Sequence, residues 1–402
     1  MPVGSITRST VSRRLLQTGQ YESTFTEVWR ALTSRCCAAG DGTVLDLGAN
    51  LGYYTQFAAA LGCRVHSWEA VPALANIVRA GAALNRWSHR VAVHRAAASD
   101  DLTHSPLSMH VTPSSWDISS VRGINSYKGL SVAPIVVPSE TLDDIVRVTP
   151  IMVPTETLGD ILSALPILGA LPALRAALAV ADSPFGGPLC GMKMDVEGAE
   201  PSVLRGAAKL LRTAPPNVIL MEYTPGAVER KAGSGKPGAL DRATEYPAML
   251  QTLLAAGYRI YHMERGRWGD RDGNTTAAPA RTLHLFEVDA LVVAAEMANA
   301  RRMQQAYEAE GFRLPQDLHP DSVRATFKFN TNLLAVLNGT KEALSVVSLG
   351  HLGPRRDSVR STVVHRSIHR KRHRKRRYNL VDCWWQPGGC YFRRGFGYGP
   401  DR

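Results

Sequence analysis

From residue 43 the chain alternates short runs of β-branched and aliphatic residues with helical stretches of ten or more residues, the pattern of a parallel sheet with crossover helices. TVLDL (43–47) passes through a glycine-rich turn into a helix ending near Ala60. RVHSW (64–68) leads to a helix over Pro72 to Trp87, and VAVHRAA (91–97) supplies a third strand. GMKMD (191–195) precedes a helix from Ala199 to Arg212, and NVILMEY (217–223) precedes one near Tyr246 to Ala256. YRIYHM (258–263) and NLLAVLN (332–338) complete seven strands. The pattern predicts one doubly wound α/β domain over residues 21–340, with residues 1–20 as a lead-in.

Two stretches break the alternation. VPSETLDDIV (137–146) and VPTETLGDIL (153–162) agree at seven of ten positions, a local duplication. Two copies are too few for a solenoid, so the duplication lengthens a loop before the 191–195 strand, an insertion spanning about 147–188. Within it, the apolar segment 161–181 has the length of a membrane span. Pro166, Pro172 and Arg175 are costly at a bilayer core, so a buried or groove-covering role is expected and no transmembrane span. At the other end, residues 354–402 lose apolar periodicity and gain charge and glycine, and are expected to be disordered.

Composition changes this picture little. Of 402 residues, 45% are hydrophobic and 20% charged, which excludes a fibrous or channel-forming chain. The net charge of +12 is local: residues 355–402 carry 14 Lys/Arg against 3 Asp/Glu, and the preceding chain is nearly neutral. A basic polyanion-binding surface over the whole domain is therefore not implied. The six cysteines (36, 37, 63, 190, 383 and 390) form no CxxC pair, so reduced or buried thiols are expected, with no disulfide framework, no structural zinc and no role. The first 20 residues lack an apolar signal-peptide core, and a cytoplasmic protein is expected. Arg8, Arg13 and Arg14, with no acid before Glu22, have the composition of an organelle transit peptide, which stays an alternative.

The chemistry concentrates at strand ends. In VLDLGANLGYYT (44–55), Gly48 and Gly52 give a turn without Cβ atoms that a ligand can approach, before a helix whose free N–H groups favour an anion. The order Asp46, Gly48, Asn50, Gly52 is not the GxGxxG of dinucleotide folds, and leaves less room for a pyrophosphate. Glu69, 21 residues after Gly48, ends the second strand, where a carboxylate can accept both hydroxyls of a ribose. A nucleoside without a diphosphate but with a carboxylate fits both ends, and S-adenosylmethionine is such a molecule. In KMDVEGAEPSVLRGA (193–207), Asp195 ends a strand where ligands of open α/β sheets bind, whereas Glu197 and Glu200 begin a helix whose dipole favours acids for structural reasons. Glu222 holds the equivalent place on the next strand. Carboxylates on such a rim can orient an acceptor hydroxyl, accept its proton or hold a cation. Asp195 and Glu222 are the candidate bases, with His104, His110 and His262 behind them.

Taken in order, VLDLGANLGYYT, Glu69, AASD (97–100), TLDDI (141–145), KMDVEGAEPSVLRGA and VILME resemble the successive motifs of FkbM-family S-adenosylmethionine-dependent methyltransferases, from about Val11 to Asn338. The resemblance implies a class I methyltransferase, Rossmann-like fold: a seven-stranded, mostly parallel sheet with a reversed last hairpin. It implies methyl transfer to an oxygen of a sugar, glycan or other small metabolite. It assigns Asp46, Gly48, Asn50, Gly52, Glu69 and Asp100 to the cofactor, and Asp195 to the methionine end or acceptor. No metal is assigned. The chain departs from the family pattern in having two TLDD-like segments and the apolar insertion. Two other readings stay open: an RNA methyltransferase whose basic tail binds phosphates, disfavoured because DVEG stands where base-methylating enzymes carry (N/D)PP(Y/F), and a non-catalytic module.

Overall fold

The computed structural model describes residues 10–100, 107–109, 135–145, 187–225, 242–263, 283–310, 331–343, 345, 350–352, 384–386 and 389–391. The chain opens with helices α1 (Thr10–Thr18) and α2 (Ser23–Cys37), then β1 (Thr43–Leu47), α3 (Tyr53–Ala60), β2 (Arg64–Trp68), α4 (Pro72–Leu84) and β3 (Val91–His94). Short strands β4 (Ala97–Ala98), β5 (Leu107–Met109), β6 (Ile135–Val137) and β7 (Ser139–Glu140) follow, with α5 (Leu142–Ile145). The second half runs β8 (Leu189–Met194), α6 (Glu200–Arg205), α7 (Ala208–Thr213), β9 (Val218–Tyr223), α8 (Glu245–Ala255), β10 (Tyr258–Met263), β11 (Leu283–Glu287), α9 (Ala290–Glu310), β12 (Thr331–Leu337) and β13 (Gly350–Leu352).

The main sheet has the order β13-β11-β10-β12-β9-β8-β1-β2-β3. Strands β3, β2, β1, β8 and β9 are parallel, and β12 inserts antiparallel between β9 and β10. The α/β class and the mostly parallel sheet agree with expectation; β12, β11 and β13 run against the other strands. The strand number does not: among the described residues the sheet has nine strands, not seven, because β11 pairs with the free edge of β10 and β13 extends it.

Central strands are apolar on both faces, as a sheet covered by helices on two sides requires. On one face Val44, Val65, Val218 and Leu220 meet Phe25, Trp29 and Leu32 of α2 and Tyr54 and Ala58 of α3. On the other, Leu45, Leu47, Met192, Met194, Ile219 and Met221 meet α6 to α9. A register shift where β8 pairs with β1 puts Cys190 on the α2 face and Met192 on the opposite one, although the two are two residues apart. The close approach of α2 is fixed at Gly191, where a Cβ would stand 2.9 Å from the Trp29 ring.

The cysteine expectation is corrected. Cys36 and Cys37, ending α2, bond Cys190 and Cys63, with Cα separations of 5.6 and 4.7 Å inside disulfide range. These bonds lie at the strand ends opposite the glycine turn. The predicted single helix from Ala199 to Arg212 is also corrected: it breaks at Gly206, where a Cβ would stand 2.6 Å from the Ser99 carbonyl oxygen. Asp143 then accepts the N–H groups of Lys209 and Leu210 at 2.9 and 2.8 Å, capping α7. This gives the first TLDD segment its structural task. The second copy has Gly159 in the equivalent place and lies outside the described residues, as does most of the insertion.

Among the described residues no helix is long and apolar enough to cross a membrane. Of the tail expected to be disordered, the structure describes one antiparallel pair, β14 (Trp384–Gln386) with β15 (Gly389–Tyr391); the rest lies outside the described residues.

Candidate functional site

The site forms at the carboxyl ends of β1, β2 and β8, where the chain must turn away from the sheet into helices. Gly48 (φ +75°), Asn50 (φ +54°) and Gly52 (φ +85°) all adopt left-handed backbone, which bends the chain sharply between β1 and α3. The geometry gives the two glycines a packing purpose as well. A Cβ on Gly48 would lie 1.9 Å from the Asp195 carbonyl oxygen, and one on Gly52 would lie 3.1 Å from Val78. Their missing side chains admit neighbouring backbone and helix α4, which pulls the β1 and β8 tips together.

Glu69 closes the turn from the side. Its Oε2 accepts the Asn50 N–H at 2.7 Å and its Oε1 accepts the Val71 N–H at 2.8 Å, so the carboxylate is held between the first and second strand tips. Burial pushes it up to about 7, against the pull of those N–H groups and of Lys193. Each oxygen retains acceptor capacity, so the group can still receive ligand hydroxyls.

Beside it lies an open cleft bordered by Gly48, Asn50, Trp68, Glu69, Asp195 and Glu197. Its apolar wall comes from Leu74, Ala97 and Met109. Trp68 stacks on His94 with centroids 4.1 Å apart, and both Trp68 Nε1 and His94 Nδ1 lie 3.1 Å from Glu140 Oε2. His66 sits behind His94, and burial with the neighbouring His94 lowers it to about 4. Glu140 thus joins Asp143 in tying the first duplicated segment to the domain.

Asp46 is buried beneath the turn and accepts the Thr55 hydroxyl at 2.6 Å, so it braces the turn from within. Asp195, 37% exposed in its side chain, reaches the cleft. Glu222, at the tip of β9, lies within electrostatic range of Tyr21, together with Asp195, Glu197 and Glu22. Burial, then these four carboxylates, hold the Tyr21 phenol well above its ordinary value, so it stays a neutral donor. Glu22 accepts the Tyr54 hydroxyl at 3.3 Å. The lead-in to α2 therefore reaches the same rim as Asp195 and Glu222.

Other candidates fall elsewhere. Asp100 is engaged by Arg205 at 2.6 Å and does not border the cleft. Glu200 is buried, accepts N–H groups from Gly198 and Val196 and the Tyr246 hydroxyl, and is pushed by burial up to about 7. This is the structural task foreseen for an acid at a helix start. His262 is buried on β10, 2.8 Å from the Thr331 hydroxyl; His104 and His110 lie outside the described residues. The sequence reading missed Tyr21, Glu22 and Lys193. Lys193 carried a usable signal: a charged residue inside an otherwise apolar strand, two positions before Asp195.

No curated protein matches this chain. Among solved structures it is similar to PRMT6 bound to SAH at 24% identity, over 21% of this chain and 24% of that one, with a TM-score of 0.18. It is similar to an O-methyltransferase from Bacillus cereus in complex with SAH at 14% identity, over 65% and 94% of the two chains, with a TM-score of 0.29. It is also similar to precorrin-6y C5,15-methyltransferase from Geobacter metallireducens at 10% identity, over 61% and 76%, with a TM-score of 0.27. The family comparison falls on the strands that carry Lys193, Asp195 and Glu222: over residues 189–260, from β8 to β10, the chain matches the family model of the methyltransferase FkbM domain.

Proposed function

We propose that the chain is an S-adenosylmethionine-dependent methyltransferase acting on a hydroxyl of a sugar, glycan or other small metabolite. The observation that carries this reading is the fixed Glu69 carboxylate beside the left-handed turn, at the edge of a cleft that Asp195 also borders. The residues fit the donor. Glu69 would receive the ribose hydroxyls, and the turn from Gly48 to Gly52, at the start of α3, would receive the methionine carboxylate. Among the described residues bordering the cleft there is no Lys, Arg or His, and its carboxylates suit a cationic sulfonium.

When bound, the donor supplies an electrophilic methyl carbon whose bond to sulfur breaks with its electron pair left on sulfur. The work of the chain is alignment, which can lower a barrier by about 7–11 kcal/mol. Asp195 and Glu222 would accept hydrogen bonds from the acceptor hydroxyl, and one of them would take its proton as the new oxygen–carbon bond forms, an effect of roughly 10²- to 10⁴-fold. Tyr21, a neutral donor beside both, would fix a second acceptor oxygen. A rim of carboxylates and a phenol favours acceptors rich in O–H groups over anionic ones.

Calorimetry with S-adenosylhomocysteine tests the donor half; no binding by the full chain would refute the transferase and leave a non-catalytic module. Incubation with isotope-labelled S-adenosylmethionine and fractionated cell extract tests the acceptor half. Label entering RNA rather than carbohydrate or small metabolites would replace the acceptor class.

A further inference from the structure

We propose that Lys193 is a positioning residue of this site: its buried ammonium ties the glycine turn to Asp195 and balances the carboxylates that meet there. The inference rests on the transferase reading and adds to it a residue that touches neither donor nor acceptor.

Lys193 lies on β8 directly beside Asp46 in the parallel register with β1, and is 3% exposed. Its Nζ donates to the Gly48 carbonyl oxygen at 2.8 Å, lies 3.5 Å from that of Leu47, and stands 3.6 Å from Asp46 Oδ1 and 3.7 Å from Asp195 Oδ2. Asp46 Oδ1 is itself buried without a hydrogen-bond donor, so the ammonium is its compensation. The Tyr54 ring lies 5.6 Å away on α3, and Glu22 and Glu69 complete the charged groups around it. Burial presses the lysine down, but the summed attraction of Asp195, Asp46, Glu22 and Glu69 outweighs it and holds the group above its ordinary value.

An unbranched apolar side chain would fill this volume without burying a charge, and buried ion pairs are poor investments for stability alone. What only the ammonium can do is contact the turn and the Asp195 carboxylate together, on either side of the place where Gly48 and Asp195 backbones touch. Removing it leaves two carboxylates, the buried Asp46 and the cleft-bordering Asp195, without their shared cation.

The test is S-adenosylhomocysteine binding by calorimetry on full-length protein at pH 8, because Lys193 also pulls Glu69 down and its removal shifts that group at lower pH. Lys193→Met should lose at least about tenfold in affinity relative to wild type, because a charged partner is left uncompensated. Asp195→Asn added to Lys193→Met should restore part of the affinity, whereas Asp195→Asn alone should not raise it. A purely space-filling lysine predicts no deficit and no rescue, and that result overturns the inference while leaving the transferase intact. Wild-type protein that binds no S-adenosylhomocysteine overturns both. Should Lys193→Met not fold, Lys193→Gln keeps a donor for Gly48 without the charge and carries the same test, with no deficit or no rescue by Asp195→Asn again overturning the inference.

Discussion

Gly48 and Asp195 touch through their backbones: a single carbon added to Gly48 would stand 1.9 Å from the Asp195 carbonyl oxygen. The contact joins the tips of β1 and β8, and with them the glycine turn and the Asp195 carboxylate. Gly48→Ala must both strain a left-handed residue and part these tips, and should destabilise the protein by at least about 3 kcal/mol with loss of S-adenosylhomocysteine binding. Gly52→Ala also strains a left-handed residue but meets Val78 at 3.1 Å rather than a backbone oxygen at 1.9 Å, and should cost about 1–2 kcal/mol. Thermal denaturation with parallel calorimetry separates the two, and equal effects would contradict the geometry.

Glu69 sets a pH dependence of binding. Because burial holds it near 7, an ionised carboxylate that receives ribose hydroxyls should bind ligand with release of a proton below that pH. Affinity for S-adenosylhomocysteine should therefore rise with pH and level off above about 7. Glu69→Gln should lose about tenfold or more and show little pH dependence. Calorimetry in buffers of different ionisation enthalpy reads the proton directly.

Glu200 gives the matching stability signature without touching the ligand. Its folded value near 7 exceeds the usual 4.5, so its contribution is complete below about 4.5 and is lost as pH rises through 7. The stability difference between wild type and Glu200→Gln should shift against wild type by up to about 3 kcal/mol between these limits, and stay level above them. Chemical denaturation at pH 4.5, 6, 7 and 8 measures it.

The disulfides predict a chain that tolerates reduction poorly. Taken singly, loops with separations of 154 and 26 residues imply about 5 and about 3.5 kcal/mol on the chain-entropy account. Reduction should lower the melting temperature, and α2, which carries Tyr21 and Glu22 at its other end, should lose its anchorage. Trypsin leaves residues 36–64 as one peptide and 176–193 as another, so the unreduced digest should contain the two covalently joined through Cys36 and Cys190. Free thiols at these positions in the folded protein would contradict the pairing. Such bonds persist in oxidising compartments, which weighs against the cytoplasmic expectation.

Patterning alone made β1, β2, β8, β9, β10 and β12 legible, because strands covered on both faces are apolar runs bounded by turn residues. The left-handed turn and Glu69 were legible because their spacing is local to one strand–helix–strand unit; Glu200 was legible as a structural acid, though burial and its Gly198, Val196 and Tyr246 contacts, not the helix dipole, set its state. The FkbM motifs read along the chain were matched by the family comparison in the segment from β8 to β10. Three-dimensional packing alone decided what depends on residues far apart in sequence. Cys36 reaches Cys190 across 154 residues, Lys193 finds Gly48 and Asp46 only by strand pairing, and Asp143 caps α7 by accepting two of its N–H groups. The chemistry of each side chain is a property of the sequence. Which groups share the buried space at the sheet's edge is set by register and close packing, and no local pattern encodes that.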